Sequence, residues 1–403
     1  MNEKNYTAVR RYIRQYYLKY KQNVWIPPPV LEREFGFVIG PNKVMTRHKG
    51  FENDDAVKTF LANEAPLDAY HSAAVYDNPI ASMDEKGFRG ADLFFDIDAD
   101  HVDPECGKDR RIWICNTCNE AGLGHVDVCT KCNRNVSYVT FPNKECIEAA
   151  RLETRKLISI LTNEFGFPHD KIKIHYSGNR GFHVYVLSEE VRALSQEARK
   201  EIIDYIANPS PEFDLLVIRE GDRVGEVLMP KIGLPGRILD ELKEILFNQE
   251  VLENILGQRI AQRAHKERST ILADLESGRL SVLLRVLGKN NLKNILGLAL
   301  DRIKVRVDPV VTIDLHRLVR MPGSINSKTG FPKLEVDLQE ASADEILTNI
   351  EHQEESIKVM VKAAPKIELG GNLYGPYENI IKDLPVEVGV LLILRGVAEV
   401  IEY

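Results

Sequence analysis

Three aspartates alternate with apolar residues in the stretch FFDIDAD, residues 94 to 100, which otherwise reads as a buried strand. Side chains two apart in a strand point to one face, so Asp96, Asp98 and Asp100 are expected on the same side, roughly 7 Å apart in sequence pairs. Carboxylates so placed repel and resist joint ionisation unless a cation lies among them. Hard oxygen ligands suit Mg2+ or Mn2+ holding a phosphate-bearing substrate, and carboxylates bridging two such ions serve in-line nucleotidyl transfer. A third carboxylate is needed. Asp308, at the tip of an expected alternating strand KVRVD over 304–308, is the candidate. Asp314 competes, but it is expected to open a short helix, where an aspartate has a capping role of its own.

All six cysteines fall between Cys106 and Cys146. Such a local cluster points to metal and not to a disulfide framework spread through a secreted fold. Cys115 and Cys118, followed after ten residues by Cys129 and Cys132, supply four thiolates for a tetrahedral Zn2+. Cys106, His125 and Cys146 are alternatives for one of the four positions. A closed four-sulfur site has no open position for substrate, so its role would be structural or would position nucleic acid.

The segment YSGNRGFHVYV places Ser177, Arg180 and His183 around a tight turn in which Gly178 and Gly181 permit close backbone approach. Arg and His donors beside metal-bound carboxylates would hold a triphosphate. Arg317 and Arg320, three apart on an expected short helix, read by themselves as a solvated face, and Lys328 as part of the turn NSKTG.

These residues need elements to position them. Residues 1 to 23 have the pattern of an amphipathic helix, and the acidic strand follows at 92 to 100. The cysteine segment interrupts the chain before a helix that stops near Gly166 and Pro168, and the glycine-bounded turn then reads as a hairpin. From about 190 to 300, Leu, Ile, Glu, Lys and Arg recur at helical spacing, with strand-like segments on either side. The expectation is an α/β core with two insertions, one metal-bound and one helical. Its pieces are 1–100, 147–190 and 303–403 for the core, 101–146 for the zinc insertion and 191–302 for the helical subdomain.

With 403 residues, 44% hydrophobic and 28% charged, the composition is that of an ordinary globular protein. The net charge of −7 gives no global sign of nucleic-acid binding, although a groove needs only a local basic patch. The amino terminus lacks an apolar signal-peptide core, and the most apolar run near the end carries Arg395 in its middle. An intracellular protein without a membrane span is expected.

Taken together, REFGF at 33–37, RGADLFFDIDAD at 89–100, the cysteine knuckles, SGNRGFHVYV at 177–186 and DPVVTIDLHRLVRMPGSINSKTG at 308–330 resemble the small catalytic subunit of archaeal and eukaryotic DNA primase. The compact length is more similar to the archaeal version. The resemblance implies a primase-type core of mixed sheets flanked by helices, making short RNA or DNA primers on single-stranded DNA for replication. It implies Asp96, Asp98 and Asp308 as the catalytic metal triad, and Ser177, Arg180 and His183 as contacts to the incoming NTP or dNTP. Arg317, Arg320 and Lys328 would line the same nucleotide site. A heterodimer with an iron–sulfur-containing large subunit is also implied. Asn179 stands where many relatives carry a second basic residue and Asn326 where His is common, so nucleotide affinity or sugar preference is expected to differ. Two other readings of the residues are a zinc-containing nucleic-acid-binding protein without catalysis and a Mg-dependent aspartate-nucleophile phosphatase. The second lacks the hydroxyl residue it needs, since Asp100 occupies that position.

Overall fold

A computed structural model describes residues 1–103, 105–209, 219–220, 223–224, 229–350 and 355–403. The chain divides into two units, one made of Met1–Arg155, His169–Glu197 and Val307–Tyr403, the other of Lys156–Pro168 and Ala198–Arg306.

In the first unit, helix α1 (Glu3–Tyr20) is started by Asn2, whose side chain accepts from the Asn5 N–H. It buries Val9, Tyr12, Ile13, Tyr16 and Tyr17 at helical spacing. Next come β1 (Phe35–Ile39), β2 (Val44–Lys49), β3 (Asp68–Ser72) and the acidic strand β4 (Leu93–Asp98), which runs into a single helical turn, α2 (Ala99–Val102). The cysteine segment holds β5 (Ile112–Cys115), β6 (Ala121–Leu123) and β7 (Val136–Val139). Helix α3 (Lys144–Asn163), whose residues from Lys156 on belong to the second unit, and the hairpin β8 (Ile172–Tyr176) and β9 (Gly181–Val186) follow. After the second unit, α4 (Pro309–Ile313), β10 (Leu318–Arg320) and β11 (Leu334–Glu335) lead to β12 (Ser356–Ala364), β13 (Tyr377–Pro385), α5 (Val386–Leu394) and β14 (Ala398–Glu402).

The strands named here form four sheets, with strand orders β10–β3–β1–β2, β11–β8–β9–β4, β13–β12–β14 and β6–β5–β7, beside smaller two-stranded ones, and every pairing in the four is antiparallel. The fold is therefore mixed α and β, with the acidic strand at the edge of its sheet. Leu93, Phe95 and Ile97 are fully buried. Burying side chains of that size stabilises by about 1.5–3 kcal/mol each.

The REFGF motif is structural. Buried Arg33 donates to Asp92 at 2.5 Å and to the carbonyl of Ser72 at 2.8 Å. Asp92 also accepts from Arg192 at 2.6 Å, which fixes the residue just before β4. Buried Glu34 pairs with Arg47 and Lys86. Helix α1 reaches the other side of the future site, where Tyr12 donates to the Gly330 carbonyl at 3.0 Å and Tyr16 to that of Gly323 at 2.9 Å.

The second unit is helical. Gly233–Phe247 and Lys289–Ile303 are its longest helices entirely beyond Ala198, and Ile238, Leu242, Ile245, Leu283, Leu292 and Ile295 belong to its core. Among the described residues no helix is long and apolar enough to cross a membrane.

Several local expectations are corrected. β4 ends at Asp98, and Asp100 lies in α2, off the strand face shared by Asp96 and Asp98. Residues 304–308 are not a strand. Asp308 caps the start of α4, accepting from the Val310 N–H, whereas Asp314 ends that helix. Arg317 and Arg320 are not helical, because residues 318–320 pair with β3. Cys106 and Cys146 form a disulfide, so two of the six cysteines are not metal ligands.

Candidate active site

Antiparallel pairing places Asp96 opposite His183 and Asp98 opposite Gly181. The approach of β4 to the hairpin turn depends on glycine: a Cβ on Gly181 would lie 2.2 Å from the Ile97 carbonyl oxygen. Gly178 has a φ of +78°, and a Cβ there would lie 2.8 Å from the Phe331 carbonyl. Asp308 reaches the acidic strand through its main chain, its N–H donating to the Asp96 carbonyl at 2.9 Å. One carboxylate oxygen of Asp98 accepts from the Asp100 N–H and one of Asp308 from the Val310 N–H.

Burial, and then the negative charges of Asp98 and Asp308, push the Asp96 carboxyl up to about 6. A divalent cation would relieve that repulsion, and oxygen donors suit Mg2+ or Mn2+. The three carboxylates are splayed more widely than the thiols described below, which alone among the described residues bring three or more ligating atoms within 4.8 Å of one another.

A cleft of about 290 Å³ opens over β4 and β9. Of the residues expected at the site, Asp96, Asp98, Ser177, His183, Arg317, Arg320 and Lys328 line it, whereas Arg180 and Asp308 do not. The Ser177 hydroxyl accepts from the N–H groups of Asn179 and Gly181 at 3.3 and 3.2 Å, which holds the turn closed and leaves its own proton to donate. His183 Nε2 is 3.5 Å from Asp96, and Phe94 meets its ring edge to face. Burial, then the positive charges of Lys333 and Arg320, hold His183 well below its usual range, so the imidazole is neutral at pH 7. Its Nδ1 is buried and unpartnered among the described residues.

The basic residues differ in availability. Arg317 has no ion-pair partner among the described residues, and Lys328 is exposed at the cleft. Arg320 is already paired with Asp68, donates to the Ile325 carbonyl at 3.0 Å and lies over the Tyr70 ring. Arg180 sits behind the lining, 5% exposed and bonded to Asp100, with Nε and Nη1 buried and unpartnered. Asn326 is spent on structure: its Nδ2 donates to the Ser177 carbonyl at 3.0 Å and its Oδ1 accepts from the Lys328 N–H at 2.9 Å.

Sequence reasoning missed Asp68, which also accepts from the Ser327 hydroxyl, and Lys333. Lys333 is fully buried and donates to the Tyr185 hydroxyl at 2.7 Å and the Arg320 carbonyl at 2.8 Å. A lysine inside the alternating run around 333–338 was the available signal for it.

The four remaining cysteines form two matching knuckles. Sγ of Cys115 accepts from the N–H groups of Thr117 and Cys118, each at 3.4 Å, and Sγ of Cys129 from that of Lys131 at 3.4 Å. Asn119 and Asn133, one after each knuckle, take up positive φ. Sγ separations of 3.4 Å between Cys115 and Cys132 and 3.6 Å between Cys118 and Cys129 are near those of thiolates about 2.3 Å from one tetrahedral ion. The Cys118 and Thr117 N–H groups hold the Cys115 thiol down to about 6, which favours the ligating thiolate. His125 stacks on Tyr138 and lies outside the four. The donor set could bind a metal such as zinc.

A family model described as DNA primase small subunit matches residues 141–338. The chain is 29% identical to the DNA primase small subunit PriS of Nitrosopumilus maritimus over 402 residues, covering 99% of this chain and 100% of the relative. It is 27% identical to that of Cenarchaeum symbiosum, with 99% of each chain covered. The small subunit of Pyrobaculum calidifontis is 29% identical over 96% of this chain and 97% of its own length.

Proposed function

We propose that this chain, which belongs to the DNA primase small-subunit family, is a primase catalytic subunit that builds short primers on single-stranded DNA from NTPs or dNTPs. The 3′-hydroxyl of one nucleotide attacks the α-phosphate of the next, forming a phosphodiester as pyrophosphate leaves. The observation that carries this reading is the cleft in which Asp96 and Asp98 face Ser177, His183, Arg317 and Lys328.

Asp96, Asp98 and Asp308 would hold Mg2+ or Mn2+, and their mutual repulsion around a half-buried Asp96 fits that role. Such ions, when bound, lower the pKa of the attacking hydroxyl and offset the charge developing on the phosphoryl group. The protein supplies positioning and donors. Ser177 offers a hydroxyl fixed by the turn, and neutral His183 an N–H that adds no charge beside Asp96. Arg180, Arg317 and Lys328 supply positive charge for the triphosphate. Arg320, already neutralised by Asp68, shapes the wall together with Tyr70. The four cysteines would hold Zn2+ as a structural ion. The relatives' name, small subunit, implies a larger partner, and an iron–sulfur-containing large subunit is part of this reading.

The test is synthesis itself: purified chain, single-stranded DNA, labelled triphosphates and Mg2+ or Mn2+, with products sized on a denaturing gel. Template-dependent oligomers are expected. Phosphate release from a monoester without polymer would favour the phosphatase, and template binding without synthesis, even with a candidate large subunit supplied, the binding protein.

A further inference from the structure

Strand β12 alternates along SIKVMVKAA, burying Ile357, Val359 and Val361, and helix α5, apolar but for the buried Glu387, is buried with it. That packing sets where the helix ends. Its C-cap is Arg395, whose guanidinium Nη2 donates to the side-chain oxygen of Asn179 at 2.7 Å. A guanidinium has only donors, so the amide oxygen must face Arg395 and the amide NH2 is the end left over. The rest of Asn179 is fixed separately, its N–H donating to Ser177 and its carbonyl accepting from the Tyr176 hydroxyl at 2.6 Å. Asn179 lines the cleft.

A second observation concerns unspent donors. Arg180, next in sequence, has buried Nε and Nη1 without partners, and the Nε of Arg395 is in the same condition. Unpaired buried donors on charged groups are costly unless a ligand satisfies them. Burial, then the like charge of Arg180, lowers Arg395 to about 10, which leaves it protonated at pH 7. Arg395 and Arg180, the latter also held by Asp100, thus stand behind the Asn179 amide, and of the three Asn179 lines the cleft. An anion with several oxygens satisfies such a group.

We propose that Arg395 is a positioning residue of the nucleotide site, orienting the Asn179 amide so that its NH2 donates to the polyphosphate of the incoming nucleotide. This rests on the primase reading. It makes the end of the carboxyl-terminal helix part of nucleotide selection, favouring triphosphate over monophosphate.

The experiment measures KM and kcat for the nucleotide in template-dependent synthesis, and the affinity for nucleoside triphosphate with Mg2+ by calorimetry. Arg395→Gln is expected to raise KM and weaken binding about tenfold, as loss of a charged hydrogen bond does, with kcat falling by less. Asn179→Leu should have a similar effect, the double variant should be no worse than either single one, and Arg395→Lys should recover most of the loss. Unchanged triphosphate affinity in Arg395→Gln, or additive effects in the double variant, would overturn the proposal and leave Arg395 a structural tether. If Arg395→Gln does not fold, Asn179→Leu, which leaves helix and guanidinium in place, decides alone. Triphosphate binding by the wild type that Arg395→Gln weakens, without any primer made, would refute the primase reading and not this one; wild-type protein that binds no triphosphate refutes this one.

Discussion

The main-chain N–H of Asp308 donates to the carbonyl oxygen of Asp96 at 2.9 Å, joining the two ends of the acidic site through backbone and not through their charged groups. The carboxylate of Asp308 meanwhile caps α4. Asparagine caps a helix about as well as aspartate but carries no charge. Asp308→Asn is therefore expected to keep its melting temperature within about 2 °C while synthesis falls more than about 100-fold. Asp308→Ala should lose activity and also about 1 kcal/mol of stability. Thermal melts beside the primer assay separate the two roles, and an active Asp308→Asn would remove it from the metal site.

Gly181 tests the close approach of the hairpin to the acidic strand. With the Ile97 carbonyl 2.2 Å from the position of an added Cβ, Gly181→Ala must push the strands apart. Overpacking of this kind destabilises by about 1–3 kcal/mol, so the urea midpoint should fall and synthesis with it. An unchanged midpoint would show that β4 and β9 do not meet as described.

The arginines of the cleft should separate cleanly. Removing Arg320 leaves Asp68 buried with no cation, a loss of about 3–5 kcal/mol for a buried pair, so Arg320→Ala should unfold at markedly lower urea. Arg317→Ala should stay within about 0.5 kcal/mol of wild type yet raise the nucleotide KM. Equal effects on stability would contradict the assignment of one arginine to structure and the other to substrate.

Metal content identifies the thiol ligands. One Zn2+ per chain is expected by elemental analysis, lost in Cys129→Ser and retained in a Cys106→Ser/Cys146→Ser double variant. Zinc loss from the double variant would reassign the ligand set.

The parts of the site that were legible in the sequence are those that local pattern decides. Alternation put Asp96 and Asp98 on one face, and a glycine-bounded turn announced the hairpin carrying Ser177 and His183. The spacing of the knuckles named Cys115, Cys118, Cys129 and Cys132. Where tertiary pairing decides, pattern failed. The alternation of FFDIDAD continues through Asp100, but the chain turns into α2 after Asp98, whose side chain caps it. Residues 318–320 join β3 as a strand because an open edge was there to pair with, overriding the helical reading. Asp68 and Arg395 lie far from the motifs in sequence, and no local signal ties them to the cleft, whereas Lys333 sits just past the last motif and only its place in an alternating run hints at it.

The most direct test of the account is Asp96→Asn, measured for template-dependent synthesis with zinc content and melting temperature recorded on the same preparation. Asparagine keeps the shape and removes the charge that faces the cleft. The account predicts no detectable primer from a folded protein that still carries its zinc. Primer synthesis near the wild-type rate would mean that the acidic strand does not hold the catalytic cation.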